Sequence, residues 1–435
     1  MSDQTSINVS DYYDTDTFKR IKAFSEGRET PFLVIDTATI NRQYDEMTDA
    51  FPYANVYYAV KANPAPEVLT MLRDKGSNFD IASIYELEKV LALGVTPDRI
   101  SFGNTIKKSR DVRAFFEKGV RMYATDSEAD LRNIAKAAPG SKIYVRILTE
   151  GTLTADWPLS RKFGCQTDMA MDLMILARDL GLVPYGVSFH VGSQQRDIGA
   201  WDAALAKVKV IFERLRKEDG IELKMINMGG GFPANYLTRT NDLKTYAEEI
   251  TRYIREDFGE DFPEIIIEPG RSLISNAGVL VSEVVLISRK SRTALVRWVF
   301  TDVGKFSGLV ETMDEAIKFP IHTEKKGEVE DVVIAGPSCD SADIMYENYK
   351  YGLPLNLAIG DRLYWLSTGA YTTSYSSVEF NGFPPLKDYY ILAGDACESV
   401  RECKTAAGGV RAPGKNVSRC SNQSSAAAHL QCDDA

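Results

Sequence analysis

Apolar residues recur along most of this chain in short, strand-length runs, with stretches of helical spacing between them. A first run, Phe-Leu-Val-Ile at 32–35, precedes a helical pattern over 37–51. From residue 56 the alternation becomes regular, with strand-like runs at 56–60, 79–82, 100–102, 121–124, 142–148, 185–190, 224–228 and 264–268. Amphipathic stretches such as 66–75, 84–93, 109–118 and 201–217 separate them. Eight strands alternating with helices over about 210 residues predict parallel β/α units closed into an eight-stranded TIM-like barrel. A doubly wound open sheet is the alternative, disfavoured because no Gly-rich dinucleotide turn follows the first strand.

After Arg271 the alternation stops. Runs at 279–287, 293–303, 332–335 and 362–367 read as strands with little helix between them. The expected organisation is therefore α/β: a barrel over 36–271 and a mostly β domain over 272–392, joined by the N-terminal segment 1–35. Residues 393–435, rich in Ala, Ser, Gly and Cys, lack the large apolar residues needed for a core and are expected to be a disordered tail.

Chemistry concentrates where the strands end. Lys61, Asp80, Asn104, Arg146, His190, the triplet Gly229-Gly230-Gly231 and Glu268 each close or follow a predicted strand. In a β/α barrel those ends share the face that hosts catalysis. Lys61 ends an apolar strand, where a lysine either snorkels to solvent or is paired or covalently bound. Partial desolvation favours its neutral amine, as a Schiff base to an aldehyde cofactor requires. The glycine triplet follows the seventh strand and Arg271 the eighth, the two loops from which barrels build phosphate sites. A lysine, a phosphate cradle and the carboxylate of Glu268 on one face fit pyridoxal 5'-phosphate, with Glu268 on the ring nitrogen. A lysine-based aldolase acting on a sugar phosphate competes, but needs no carboxylate for a ring nitrogen.

Around this centre, His190 could stack on a planar cofactor, and Ser193 could add a phosphate hydrogen bond. Asp80 and Glu86 could be helix-capping acids. Arg146, within a predicted strand, needs Asp80 or Glu268 as its partner. In the second domain, Cys339 and Asp340 stand together in a turn, and Tyr371 follows a strand. A lone cysteine is usually an inert buried thiol, but the Pro-Ser-Cys-Asp turn is an unusual core position.

Composition narrows the setting. A net charge of −10 argues against nucleic-acid and anionic-membrane surfaces. No apolar run approaches the roughly 18 residues of a membrane span. The N-terminus lacks the pattern of a signal peptide, so the expected compartment is the cytoplasm. Of six cysteines, four fall in the last 40 residues, without the paired spacing of a zinc site. With only three histidines, a metal centre is not expected.

Six motifs then occur in one order: Tyr58-Ala59-Val60-Lys61-Ala62-Asn63, His190-Val191-Gly192-Ser193, Gly229-Gly230-Gly231-Phe232-Pro233, Glu268-Pro269-Gly270-Arg271, Gly336-Pro337-Ser338-Cys339-Asp340 and Gly369-Ala370-Tyr371-Thr372. Together they resemble the alanine-racemase-fold, pyridoxal phosphate-dependent decarboxylases of basic amino acids. The resemblance covers residues 15–392 and implies a head-to-tail homodimer with shared active sites. In it Lys61 binds the cofactor, and Cys339, Asp340 and Tyr371 reach toward it, Cys339 and Asp340 from the neighbouring subunit. Cys339 is the implied proton donor and Asp340 the ligand of the substrate's distal ammonium. Glu311 and Asp314 are the acids that segment 308–314 offers to the same pocket. The implied reaction converts L-ornithine to putrescine, and L-lysine to cadaverine as a second substrate. Diaminopimelate and arginine decarboxylation, racemisation, and a non-catalytic regulator of the same fold are the alternatives. Glu268 at the ring nitrogen argues against a racemase, Asp340 in place of a glutamate against diaminopimelate, and the presence of Lys61 and Cys339 against a regulator.

Overall fold

A computed structural model describes residues 7–149, 154–157, 162–377, 381, 384–392 and 400–402. Strand β1 (Phe32–Asp36) is followed by β2 (Ala54–Ala59), β3 (Asn78–Ile81), β4 (Ile100–Phe102), β5 (Met122–Thr125) and β6 (Lys142–Arg146). Then come β7 (Ala155–Trp157), β8 (Val183–Ser188), β9 (Ser193–Gln195), β10 (Met225–Asn227) and β11 (Glu264–Ile267). All but β1, β7 and β9 form one closed, eight-stranded barrel. β11 seals it against β2 in the parallel register Ile265↔Ala54, Ile266↔Asn55, Ile267↔Val56. β7 and β9 make a separate antiparallel pair. The expected TIM-like barrel is what the chain forms.

Side-chain parity decides what each barrel strand presents. Tyr57, Met122, Ala124, Tyr144, Met225 and Ile266 pack together inside the barrel. Their neighbours Val56, Tyr58, Val145, Ile265 and Ile267 belong to the core shared with the surrounding helices. Burying a large apolar side chain there is worth about 1.5–3 kcal/mol. Because strand side chains alternate, Arg146, Asn227 and Glu268, two residues beyond Tyr144, Met225 and Ile266, turn to the mouth. Helix caps hold this arrangement. Ser83 Oγ accepts from the Glu86 amide and Glu86 Oε2 from the amide of Ala82, just before the cap, and the two bonds together start the helix Ile84–Ala92. Glu86 is thus a capping acid, and Asp80 is not.

Several strands end earlier than their apolar runs. β2 stops at Ala59, and Val60–Ala62 is a 3-10 turn. β6 ends at Arg146, so that arginine is a terminal residue rather than one in mid-strand. β8 ends at Ser188, before His190. At each place the chain leaves the ladder as it turns over the mouth. Apolar character continues because these turns still pack on the core.

The second domain contains β12 (Gly278–Arg289), β13 (Arg297–Thr301), β14 (Ile321–His322), β15 (Val329–Ala335), β16 (Ile344–Pro354), β17 (Arg362–Leu366), β18 (Lys387–Ile391) and β19 (Val400–Glu402). Its sheet runs β16-β15-β13-β12-β1-β18-β19, with β17 between β12 and β14. β1 does pair here, with Phe32 opposite Val281 on β12 and Lys387 on β18. β12 pairs with β1 and β17 through its first half and with β13 beyond a register shift at Val284 and Leu286. β14, β16, β18 and β19 have no counterpart among the predicted runs. Of the expected disordered tail, Val400–Glu402 forms a strand on β18; the remainder lies outside the described residues. Among the described residues no helix is long and apolar enough to cross a membrane.

Candidate active site

The strand ends converge on a cavity of about 330 Å³ at the C-terminal mouth of the barrel. Lys61, Asp80, Arg146, His190 and Glu268 line its inner part. Lys61 sits in the turn after β2, and loop 369–374 of the second domain clamps that turn. The Tyr371 amide donates to the Ala62 carbonyl at 2.9 Å, Ser374 Oγ to the Lys61 carbonyl at 3.0 Å, and Asn63 Nδ2 to the Gly369 carbonyl at 3.2 Å. Burial disfavours charge on Lys61, but Tyr371, Asp80 and Glu268 outweigh it and hold the amine above its ordinary range. The neutral amine that desolvation alone would favour is opposed by these neighbours. Its acidic neighbours, which only the fold assembles, reverse the sign.

The two acids respond in kind. Burial beside Asp80 pushes Glu268 up to about 7, although Asn227 Nδ2 donates to its Oε1 at 2.5 Å. Asp80 is also raised by burial, against the pull of Lys61 and a hydrogen bond from Ser101 at 3.2 Å. His190 is held well below its usual range by burial and by the charges of Arg146 and Lys61. Its Nδ1 accepts the Gly192 amide at 3.0 Å, so the neutral ring carries its proton on Nε2.

The other end of the cavity is built for an anion. A Cβ on Gly230 would stand 2.6 Å from the Glu268 carbonyl oxygen and 3.3 Å from His190 Nε2. Gly231 adopts φ +102°, and a Cβ there would meet the Gly192 carbonyl at 2.7 Å. Only glycine passes between these strand ends and leaves bare backbone against the cavity. Trp201 and Phe232 pack behind the loop with ring centroids 5.3 Å apart. Arg271 lies beside it, donating to Ser193 Oγ at 3.0 Å and to the Tyr236 hydroxyl at 2.9 Å. Its guanidinium carbon is 4.9 Å from the centre of the Tyr371 ring.

The remaining predicted residues divide. Gly229 supports the loop, its amide on Asn227 Oδ1 at 2.9 Å, without lining the cavity. Glu311 lines the cavity, but its carboxylate is engaged by Arg271. Asp314 is exposed, with φ +52°, and is not among the lining residues. Cys339 and Asp340 are exposed as well, on a turn away from this cavity. That turn is organised by buried Asp343, whose carboxylate accepts the Lys305 and Ser338 amides at 2.8 and 3.1 Å. Sequence reasoning missed Asn227, Tyr236 and the aromatic wall of Trp157, Phe163 and Tyr375. Asn227 carried a usable signal, since it shares strand parity with Met225.

These residues fit pyridoxal phosphate. The glycine backbone, Ser193 and Arg271 offer donors to the phosphate and Lys61 an amine to the aldehyde. To the ring nitrogen Glu268 offers a carboxylate near Lys61 and Arg146 but in direct contact with neither. Comparison with known proteins agrees. Residues 37–275 match the family described as pyridoxal-dependent decarboxylase, pyridoxal binding domain. The chain is 34% identical over 366 residues to the lysine/ornithine decarboxylase of Selenomonas ruminantium, covering 84% of this chain and 90% of that one. It is 31% identical over 397 residues to antizyme inhibitor 2 of Xenopus laevis, covering 87% and 84%. The solved structure of SrLDC in complex with PLP and cadaverine superposes with a TM-score of 0.78 at 31% identity, over 91% of this chain and 97% of that one. The chain belongs to the pyridoxal-dependent decarboxylases, and its cofactor is pyridoxal 5'-phosphate.

Proposed function

We propose that this protein decarboxylates a small basic amino acid, L-ornithine to putrescine first and L-lysine to cadaverine as a second substrate. The observation that carries the reading is the meeting of Lys61, Glu268 and the glycine–Arg271 anion site around one cavity. Similarity to a lysine/ornithine decarboxylase and to a structure holding cadaverine supports the substrate class. Bound pyridoxal phosphate supplies the electron sink for the bond electrons released as the carboxylate departs as carbon dioxide. Lys61 would hold the cofactor through Nζ and, when not bonded to it, would hold a proton there. Glu268 keeps the ring nitrogen's proton in place. His190 offers the cavity an uncharged ring, since a buried charge there would oppose Arg146 and Lys61. Trp157, Phe163 and Tyr375 add aromatic surface to the cavity lining.

Cys339 and Asp340 are exposed on a braced turn and do not line the chain's own cavity, which suits delivery to the cavity of a second copy in a homodimer. There Cys339 Sγ gives a proton to the substrate α-carbon, and Asp340 binds the distal ammonium. The compartment consistent with the sparse cysteines of the globular part is the cytoplasm.

Supplying L-ornithine, L-lysine, L-arginine and diaminopimelate in parallel to the cofactor-loaded protein and measuring the amines formed tests this. Putrescine is expected to form fastest and cadaverine next. Consumption of none would leave a regulator of the same fold as the better reading; agmatine as the main product would move the substrate assignment to arginine.

A further inference from the structure

Arg271 and Glu311 are each only 3% exposed and face each other as a two-pronged pair. Nη1 donates to Oε2 at 2.7 Å and Nη2 to Oε1 at 2.5 Å. Both oxygens of Glu311 hold the guanidinium, and the carboxylate cancels its charge. Of the five N–H donors of Arg271, these two bonds, Ser193 and Tyr236 use four. The arginine beside the glycine loop is therefore half of a neutral pair with about one donor left for an incoming anion.

We infer that Glu311 is the buried counter-ion that weakens the hold of Arg271 on the cofactor's phosphate, and is not a ligand of the substrate ammonium. The inference rests on reading this end of the cavity as the phosphate site. In a dry pocket an uncancelled guanidinium attracts a phosphate far more strongly than a paired one. Glu311 is then a positioning and tuning residue: it fixes the guanidinium and limits its charge. The glycine amides and Ser193 carry a correspondingly larger share of the phosphate contact.

The test titrates the full-length protein, freed of cofactor, with pyridoxal phosphate and with pyridoxal, which lacks the phosphate. Binding is followed by absorbance, and the affinity ratio isolates the phosphate. Glu311→Gln should raise that ratio about tenfold or more, while the charge-preserving Glu311→Asp stays within about threefold of wild type. An unchanged or lower ratio in Glu311→Gln would overturn the inference. So would a tenfold rise in KM for the amino acid with the ratio unmoved, which would return Glu311 to the substrate. Wild-type protein binding both ligands equally would instead overturn the phosphate reading itself. Should Glu311→Gln fail to fold, the double variant Arg271→Met, Glu311→Met removes both charges at similar volume, a change buried pairs tolerate. It should lower the ratio by less than about tenfold, and a loss beyond about a hundredfold would show Arg271 acting as an uncancelled charge.

Discussion

Glu268 is half-buried beside Asp80, takes one hydrogen bond from Asn227, and is pushed up to about 7. A protonated ring nitrogen would give it a cation in direct contact, beyond the more distant charges of Lys61 and Arg146, which is why we assign it that partner. Glu268→Ala removes the partner while leaving Lys61 in place. The variant should still bind cofactor covalently but decarboxylate more slowly, by a loss on the order of 3–5 kcal/mol, as for one half of a buried ion pair. Single-turnover carbon dioxide release measures this, and an unchanged rate would refute the assignment. Lys61→Ala should abolish covalent attachment: after borohydride reduction, mass spectrometry should find the cofactor on the tryptic peptide of wild type and not of the variant.

The loop after β10 works through its backbone, so its glycines cannot be replaced by shape-conserving residues. Gly230→Ala would push a methyl against the Glu268 carbonyl and His190. Overpacking of this kind costs about 1–3 kcal/mol, so cofactor affinity should fall roughly ten- to a hundredfold by equilibrium titration. A second element, β18, carries a pH dependence. Asp388 is buried, receives the Tyr390 hydroxyl at 2.9 Å on one oxygen, and has no partner for Oδ1 among the described residues. Burial raises it from 3.8 to about 6. Below about pH 4 both folded and unfolded chains hold the proton, and nothing is lost. Between about 4 and 6 only the unfolded chain ionises, so stability falls as pH rises, by about 3 kcal/mol at 1.36 kcal/mol per pH unit. Asp388→Asn should remove that slope, and urea midpoints of both proteins from pH 4 to 7.5 would show it; parallel curves would contradict it.

At the scale of the molecule, one chain holds the cofactor end of a site and, elsewhere on its surface, the Cys339–Asp340 turn. A proton donated near the α-carbon gives an amine, whereas protonation elsewhere yields an aldehyde. General-acid catalysis is typically worth about 10²–10⁴-fold, so Cys339→Ala should slow turnover and divert flux to aldehyde. If the site is shared, mixing Cys339→Ala with Lys61→Ala protein should restore activity in heterodimers that unite the intact lysine with the intact thiol. Activity no higher than in either parent, after subunit exchange is confirmed by native mass spectrometry, would rule out shared sites.

What the sequence by itself determined is what periodicity encodes. Strand-length apolar runs, alternating eight times with helical stretches, leave a closed parallel barrel as the way to bury both faces of the strands. The same alternation placed Lys61, Asp80, Arg146 and Glu268 at strand ends on one face, so the centre of the site was legible before any coordinate. Other features depended on contacts between distant residues, which no local pattern records. Strand ends at Ala59, Arg146 and Ser188 were set by where the chain turns over the mouth. The charge of Lys61 is favoured by Tyr371, Asp80 and Glu268, which only the second domain and barrel closure bring beside it. Asp314 and Glu311, three residues apart, were equivalent as sequence. Only the tertiary structure turned one to solvent and buried the other against Arg271, because burying a carboxylate requires a cation that the neighbouring residues do not supply.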